Sequence, residues 1–256
     1  MRALGRVLRA PGLWLGLAAL HVVLAKVLAA PVVASLGAAL QPYHFSDRGA
    51  LVPALAELLV AQPPVVVAFA TAWIASALLG GLLQLVLAGG IIRRLAGPAS
   101  IAEMAAESAR YVPRFAALAL YGWVPRAVVL GLVLADPLEI GATPRLVIGG
   151  LGLAICAHAL ELARARAVLC GGGAYHPRAL VGAFSAVFSA PRRSLGAVLL
   201  WSAAAGLAVA AVAVVSRGLG YGWVIWAARL IAALGVGLQL WRIAVAVAAA
   251  TGDRRV

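Results

Sequence analysis

Six long apolar stretches dominate this chain and limit what it can fold into. Each holds roughly 20 residues or more, enough helix at about 1.5 Å per residue to cross about 30 Å of hydrocarbon. The stretches lie at about 11–36, 64–92, 115–135, 146–169, 194–215 and 222–250. Hydrophobic residues make up 64% of the chain and charged residues 11%, whereas soluble domains are nearer half and a quarter. The sequence therefore excludes a soluble or disordered chain and predicts one all-α membrane domain over 1–256, a bundle of six transmembrane helices.

The arginines are distributed unequally between the two sides of the predicted bundle. Of the 21 lysines and arginines, 14 lie in the N-terminal tail, the loops after the second and fourth stretches, and the C-terminal tail. On the opposite side lie Arg48, Arg145 and Arg217. Because cytoplasmic loops carry an excess of Lys and Arg, this asymmetry predicts both termini in the cytoplasm and an even number of spans. The formal net charge of +13 then reflects membrane topology and not nucleic-acid binding.

The N-terminus has features of a signal peptide, because three arginines precede an apolar run at 13–25 and an Ala-Ala-Pro sequence follows at 29–31. However, the apolar character continues past Lys26 to Leu40, which is long for the apolar region of a signal peptide. We therefore expect the first span to be retained.

The loops after the second and fourth stretches carry amphipathic patterns. Ser100 and Glu103 form a capping-box sequence, and a helix is expected from there to Pro113. After a run of three glycines, apolar residues again recur at helical spacing, and this segment ends at Pro191. Both segments predict cytoplasmic interfacial helices that lead into the next span. Their apolar faces comprise Ile101, Met104, Ala105, Ser108 and Val112 in the first, and Leu180, Val181, Phe184, Val187 and Phe188 in the second.

The two amphipathic segments have the same position relative to their neighbouring spans. In each case a span, an Arg-rich exit, an interfacial helix and a Pro-Arg pair precede a further span. The pattern favours an internal repeat with copies at 64–135 and 146–215. Because residue identity between the copies is weak, a similar topology without repetition stays open.

Ionisable side chains occur inside the predicted spans, where burial is costly and often functional. His21, Arg126 and His158 each fall near the midplane, counted at about 1.5 Å per residue. Glu161 lies one turn from His158 and shares its helix face. These four residues form the predicted intramembrane polar cluster. The same count places further cations: Lys26 and Arg229 in the outer third, and Arg242 near the inner surface, where long side chains snorkel.

Three interpretations of this cluster stay open. In the first, which we favour, Glu161 locks neighbouring helices together by pairing with an arginine; the candidates are Arg126, Arg164 and Arg166. In the second, the cluster lines a pathway for an ion, a proton or a small solute, and one acid among several cations favours an anionic ligand. In the third, the two midplane histidines hold a haem.

The sequence lacks the signatures of common enzymes and metal sites. It contains no Gly-x-Ser-x-Gly, no His-Glu-x-x-His and no Walker loop. Its two cysteines have no zinc-binding spacing and imply no structural disulfide. We therefore predict a protein that is not an enzyme, with no catalytic residues, no metal and no cofactor.

One part of the chain resembles a known pattern. The run Glu161-Leu-Ala-Arg164-Ala-Arg166 is followed by His176-Pro177-Arg178, then by Ser-Ala-Pro-Arg-Arg at 189–193, and then by a span. This order is similar to that in largely uncharacterised bacterial six-helix membrane families, among them the membrane domain that precedes some glycerophosphodiester phosphodiesterases. The resemblance implies a non-catalytic membrane domain. The soluble phosphodiesterase barrel is not in this sequence, so its activity is not implied.

Together these features predict a non-enzymatic integral protein of the bacterial inner membrane, acting as a scaffold or an accessory subunit. The expected partners are anionic lipid headgroups, at on the order of 1 kcal/mol per Arg near the surface, and a membrane partner subunit. The alternative is a small-solute or lipid transporter that uses the midplane polar residues. The arginines predicted to contact headgroups are Arg93, Arg94, Arg110, Arg114, Arg164, Arg166, Arg178, Arg192 and Arg193.

Overall fold

The computed structural model describes residues 2–40, 63–135, 141–171, 177–189 and 221–252, with a few positions between 196 and 207. All regular secondary structure in these ranges is α-helical, as the sequence predicted. Ala and Leu, which dominate the sequence, are among the strongest helix formers. The helices are α1 (Arg2–Leu8), α2 (Pro11–Leu40), α3 (Pro63–Ala96), α4 (Ile101–Ala135), α5 (Ala142–Cys170), α6 (Pro177–Ser189) and α7 (Tyr221–Gly252).

Four of these helices contain a segment long and apolar enough to cross a membrane. The segments are Leu78–Ala96 in α3, Ile101–Ala135 in α4, Val147–Cys170 in α5 and Gly235–Gly252 in α7. The first predicted stretch forms α2, in which a shorter apolar piece, Pro11–Leu24, is found. The predicted fifth stretch, 194–215, lies largely outside the described residues. The described chain is thus an all-helical protein with four helices able to span a membrane, and six spans stay a prediction.

The chain divides into two compact units. One comprises Met1–Ala18 with Leu85–Val256, and the other comprises Ala19–Gln84. The second unit contains the later part of α2 and the earlier part of α3, where apolar side chains such as Val23 and Ile74 are exposed. The first unit holds the hydrophobic core. The proposed repeat extends beyond the described residues and stays a prediction.

Helix α5 occupies the centre of the first unit, because it packs against α4, α6 and α7. Many of the side chains that it buries are alanines, which allow neighbouring helices to approach closely. Phe115 and Leu118 of α4 and Leu240 of α7 are fully buried in the same core. The buried apolar residues of the second half of α5 are Ala159, Leu160, Leu162, Ala163, Ala165 and Ala167.

Helix α4 differs from the sequence prediction. A separate interfacial helix was expected to end at Pro113, but a single helix of 35 residues runs through Pro113 and Pro125. A proline inside a helix removes one backbone hydrogen bond, yet neighbouring helices allow prolines in membrane helices. Tyr111 and Phe115, on either side of Pro113, are both buried. Packing on both sides of the proline therefore keeps the helix continuous.

The start of α4 confirms the predicted capping box. The backbone N–H of Ser100 donates to Oε2 of Glu103 at 2.7 Å, and the Glu103 N–H donates back to Ser100 Oγ at 3.2 Å. These bonds satisfy backbone donors that the first helical turn cannot satisfy itself. Local sequence alone therefore fixes where α4 begins.

Two adjacent glycines bring α3 and α4 close together. A Cβ at Gly90 would lie 2.5 Å from the Met104 carbonyl oxygen, and a Cβ at Gly89 would lie 2.6 Å from that of Glu107. The Gly90 N–H donates to Ser108 Oγ at 3.0 Å inside this contact. Because real Cβ atoms do not approach backbone oxygens so closely, this packing requires glycine at both positions.

Helix α6 forms within the segment predicted after the glycine run, and it packs on α5 and α4. It buries Leu180, Ala183 and Val187, whereas Val181 and Phe188 are exposed. The face of α6 that packs against other helices is therefore narrower than the predicted apolar face. Pro177 opens the helix at a position where its missing N–H costs little. A position in the membrane interface stays a prediction for α6.

Candidate functional site

Glu161 is the buried carboxylate at the centre of the polar residues of α5. It is 3% exposed, and its Oε1 accepts hydrogen bonds from Arg164 Nη1 at 3.2 Å and from Arg242 Nη2 at 3.3 Å. Both contacts are ion pairs. We refer to Glu161, Arg164 and Arg242 as the buried triad. Because Arg164 lies on α5 and Arg242 on α7, one carboxylate oxygen joins the two helices.

Aromatic side chains of α4 extend the buried triad to a third helix. The Arg164 guanidinium lies 5.6 Å from the centroid of the Phe115 ring, a distance typical of a cation–π contact. The Tyr111 ring stacks on Phe115 with centroids 5.7 Å apart. A cation held over an aromatic face keeps a favourable interaction away from water. The polar contacts of α5 therefore organise α4 as well as α7.

The buried triad carries an excess of one positive charge, because two arginines face one glutamate. Oε2 of Glu161 and Nε of Arg164 are buried and make no hydrogen bond within the described part of the chain. Taking ions out of water costs several kcal/mol for each ion, and pairing offsets that cost only with good geometry. Loss of either contact would leave a buried charge without compensation.

The partners of Glu161 differ in part from those that the sequence predicted. Arg164 was among the candidates, whereas Arg242 was expected to snorkel to the inner surface. That expectation is wrong, because the Arg242 side chain is 15% exposed and reaches the Glu161 carboxylate. A residue count along the helix gives depth but not the direction in which a side chain points. Arg126 is half-buried on α4, and Arg166 donates to the Gly182 carbonyl of α6 at 3.2 Å.

The two midplane histidines lie in different units. His158 is 1% exposed on α5, one turn before Glu161, so these residues share a buried face as predicted. His21 is half-buried in α2 and belongs to the second unit, as does the exposed Lys26. Among the described residues, no three His, Cys, Asp or Glu side chains form a group that could hold a metal ion. The haem interpretation stays a prediction. Arg229 lies in α7, and its side chain is outside the part of the protein that the structure describes.

The arginines predicted to contact headgroups differ in exposure. Arg110 and Arg178 are exposed. The prediction is wrong for Arg164, because this residue is 5% exposed and pairs with Glu161. The half-buried members are Arg93, Arg94, Arg114 and Arg166, while Arg192 and Arg193 lie outside the described residues.

Arginines from α1, from the position just after α1 and from α3 line a recess at one end of the first unit. The recess has a volume of about 580 Å³, and we call it the arginine recess. Arg6 and Arg9 lie in the N-terminal tail, where the sequence predicted no site. Arg6 lies in α1 and Arg9 directly follows it, so their closeness in the sequence is the local signal that was missed. The lining residues are Arg6, Arg9, Ala10, Arg94, Leu95, Ala96, Gly97 and Pro98.

The resemblance to bacterial six-helix membrane families stays a prediction, since it depends on topology and on a few arginines and prolines. No protein-family model, no curated protein and no solved structure matches this chain.

Proposed function

We propose that this chain is a non-enzymatic integral protein of the bacterial inner membrane that acts as a scaffold or an accessory subunit. It has six spans and both termini in the cytoplasm. The observation that carries the proposal is the buried triad, in which the Glu161 carboxylate is engaged by arginines of two helices. A solute pathway needs polar groups that face a water-filled cavity, whereas these charges hold helices together. Such a set of contacts suits a rigid assembly platform.

Contact with anionic lipid headgroups is the second part of the proposal. Arg110 and Arg178 are exposed, as contact with a membrane surface requires. Arg6 of α1 donates to Thr251 Oγ1, near the end of α7, at 3.5 Å. The first and last described helices thus meet at one end, which supports termini on one side of the membrane. Polybasic surfaces next to membrane helices attract anionic lipids.

Lipid selectivity tests the lipid part of the proposal. The protein in detergent is mixed with equal amounts of phosphatidylglycerol and phosphatidylcholine, and bound lipids are counted by native mass spectrometry. We expect phosphatidylglycerol to dominate at low salt and its excess to fall in the Arg110→Gln/Arg178→Gln variant. Lys26→Gln removes an exposed cation from the other unit and serves as the control. Equal binding of both lipids by the unaltered protein would contradict this part.

Extraction from the native membrane tests the accessory-subunit part. Native mass spectrometry of the gently solubilised protein should detect a second chain at fixed stoichiometry. A protein that is always recovered alone, even after mild crosslinking in the membrane, would argue against an accessory role.

Transport of a small anionic solute is a second candidate, favoured by one observation. The buried triad holds two arginines and one glutamate, so its own charges sum to one positive charge. Proteoliposomes loaded with chloride or inorganic phosphate distinguish the two functions. A scaffold gives no flux above empty liposomes. A transporter gives flux that is abolished in folded Glu161→Gln and Arg126→Gln variants.

A further inference from the structure

The arginine recess brings three guanidinium groups to one place. Arg6 comes from the last turn of α1, Arg9 directly follows the end of that helix, and Arg94 comes from the last turn of α3. No Asp or Glu is among the described residues that line the recess. Like charges that converge without an acid repel each other, and this cost falls when an anion binds between them.

Local contacts position two of these arginines without neutralising them. Nη2 of Arg6 donates to the hydroxyl of Thr251 at 3.5 Å, and Nη1 of Arg94 donates to the Ala99 carbonyl at 3.4 Å. Both acceptors are uncharged. Nη1 of Arg6 is buried and makes no hydrogen bond within the described residues. A buried donor without an acceptor costs free energy that an anionic oxygen would recover.

The position of Arg94 explains why cations are tolerated here. The C-terminal end of a helix carries partial negative charge, which favours a cation in its last turn. Arg93 and Arg94 occupy that turn of α3. This field holds Arg94 in place before any ligand arrives, so the recess is organised in advance.

We infer that the arginine recess binds one phosphate group through Arg6, Arg9 and Arg94. Guanidinium groups present paired N–H donors that match the oxygens of phosphate, and such charge-assisted bonds are among the strongest in proteins. The volume of about 580 Å³ lies in the range of small-ligand sites and exceeds the size of a phosphate alone, so an esterified phosphate fits.

The surroundings of the recess favour a lipid as the carrier of the phosphate. The apolar segment Leu78–Ala96, which is able to cross a membrane, ends where the recess begins. Ala10, Leu95 and Ala96 add apolar lining beside the arginines. A lipid whose headgroup phosphate lies in the recess can thus place its acyl chains along α3. This inference rests on the proposed function, because it assigns lipid binding to one recess in addition to the exposed face.

The experiment compares two pairs of substitutions in the full chain. Arg9→Gln/Arg94→Gln removes charge from the recess, and Arg110→Gln/Arg178→Gln removes the same charge from exposed positions outside it. Binding of phosphatidic acid, of phosphatidylcholine, and of the soluble probes inorganic phosphate and glycerol 3-phosphate is measured after delipidation. Thermal unfolding of each delipidated variant checks its fold, and Thr251→Val tests whether a rearranged Arg6 alone alters binding.

The expected result is one tightly bound phosphatidic acid whose affinity falls roughly tenfold or more in the recess variant and much less in the exposed-face variant. Binding of the soluble phosphates with the same dependence on the recess would also support the site and identify a soluble ligand as its source. Equal losses of affinity in both variants would overturn the recess as the phosphate site and leave the proposed lipid-binding face intact. Absence of anionic preference in the unaltered protein would overturn both.

Discussion

Nη2 of Arg242 on α7 donates to Oε1 of Glu161 on α5 at 3.3 Å, although 81 residues separate them in the sequence. The same oxygen accepts a hydrogen bond from Arg164, one turn further along α5. The three charges are therefore coupled, and a change in one alters the environment of the other two.

Loss of the Glu161 charge should destabilise the protein strongly. Glu161→Gln keeps the shape of the side chain but removes the carboxylate charge that pairs with Arg164 and Arg242. We expect the free energy of unfolding to fall by about 3 kcal/mol, measured by denaturant titration in detergent micelles. Lys26→Gln removes an exposed charge and should have little effect. Equal stability of Glu161→Gln and the unaltered protein would mean that the ion pairs contribute nothing to the fold.

Replacing the whole buried triad should cost far less than breaking it. In the variant Glu161→Leu/Arg164→Met/Arg242→Met, apolar side chains of similar length fill the same space and no charge is buried. Buried ion pairs replaced in this way are often neutral or stabilising, so we expect a stability within about 1 kcal/mol of the unaltered protein. A triple variant less stable than Glu161→Gln would show that the arginines contribute packing that methionine cannot replace.

The close contact of α3 and α4 should not accept a methyl group at position 90. Gly90→Ala would place a Cβ 2.5 Å from the Met104 carbonyl oxygen, so the helices must separate. We expect a loss of about 1–3 kcal/mol, as for overpacked cores. Gly80→Ala is a matched control, because a Cβ there meets nothing within 4 Å. The control should be neutral or slightly stabilising, since alanine favours helix. A Gly90→Ala variant as stable as the control would contradict the contact.

Removal of the capping box should loosen the first turn of α4. Ser100→Ala deletes the hydroxyl that accepts the Glu103 N–H, and such caps are worth about 1 kcal/mol. Amide hydrogen exchange at 101–104 should accelerate, while exchange near Phe115 stays slow because that residue is fully buried. Ser185→Ala, at an exposed position inside α6, should leave exchange in α4 unchanged. Uniform acceleration along α4 would indicate a wider role for Ser100.

Features set by neighbouring residues could be predicted from the sequence. The helical character, the apolar stretches and the start of α4 depend on composition and on the Ser100 to Glu103 spacing, both of which are local. The shared buried face of His158 and Glu161 follows from their spacing on one helix. These predictions needed no knowledge of which helices are neighbours.

Features set by packing between helices could not be predicted in the same way. Arg242 reaches Glu161 because α7 presents one side to α5, and the rotation of a uniformly apolar helix is not encoded in its hydrophobic pattern. The sequence predicts a helix end at Pro113, whereas the helix continues, because tertiary packing on both sides of a proline has no local signal. The paired glycines at the end of α3 were missed for a related reason, since their role appears only where α4 crosses them.

The uninterrupted course of α4 gives this helix a mechanical property. Its 35 residues extend about 52 Å at 1.5 Å per residue, well beyond the roughly 30 Å of a hydrocarbon layer. About 20 Å of rigid rod therefore projects from whatever part is embedded. A tilt of the whole helix by about 5° around one end moves the other end by about 5 Å. A small change in the orientation of α4 therefore becomes a displacement of several ångströms at its end.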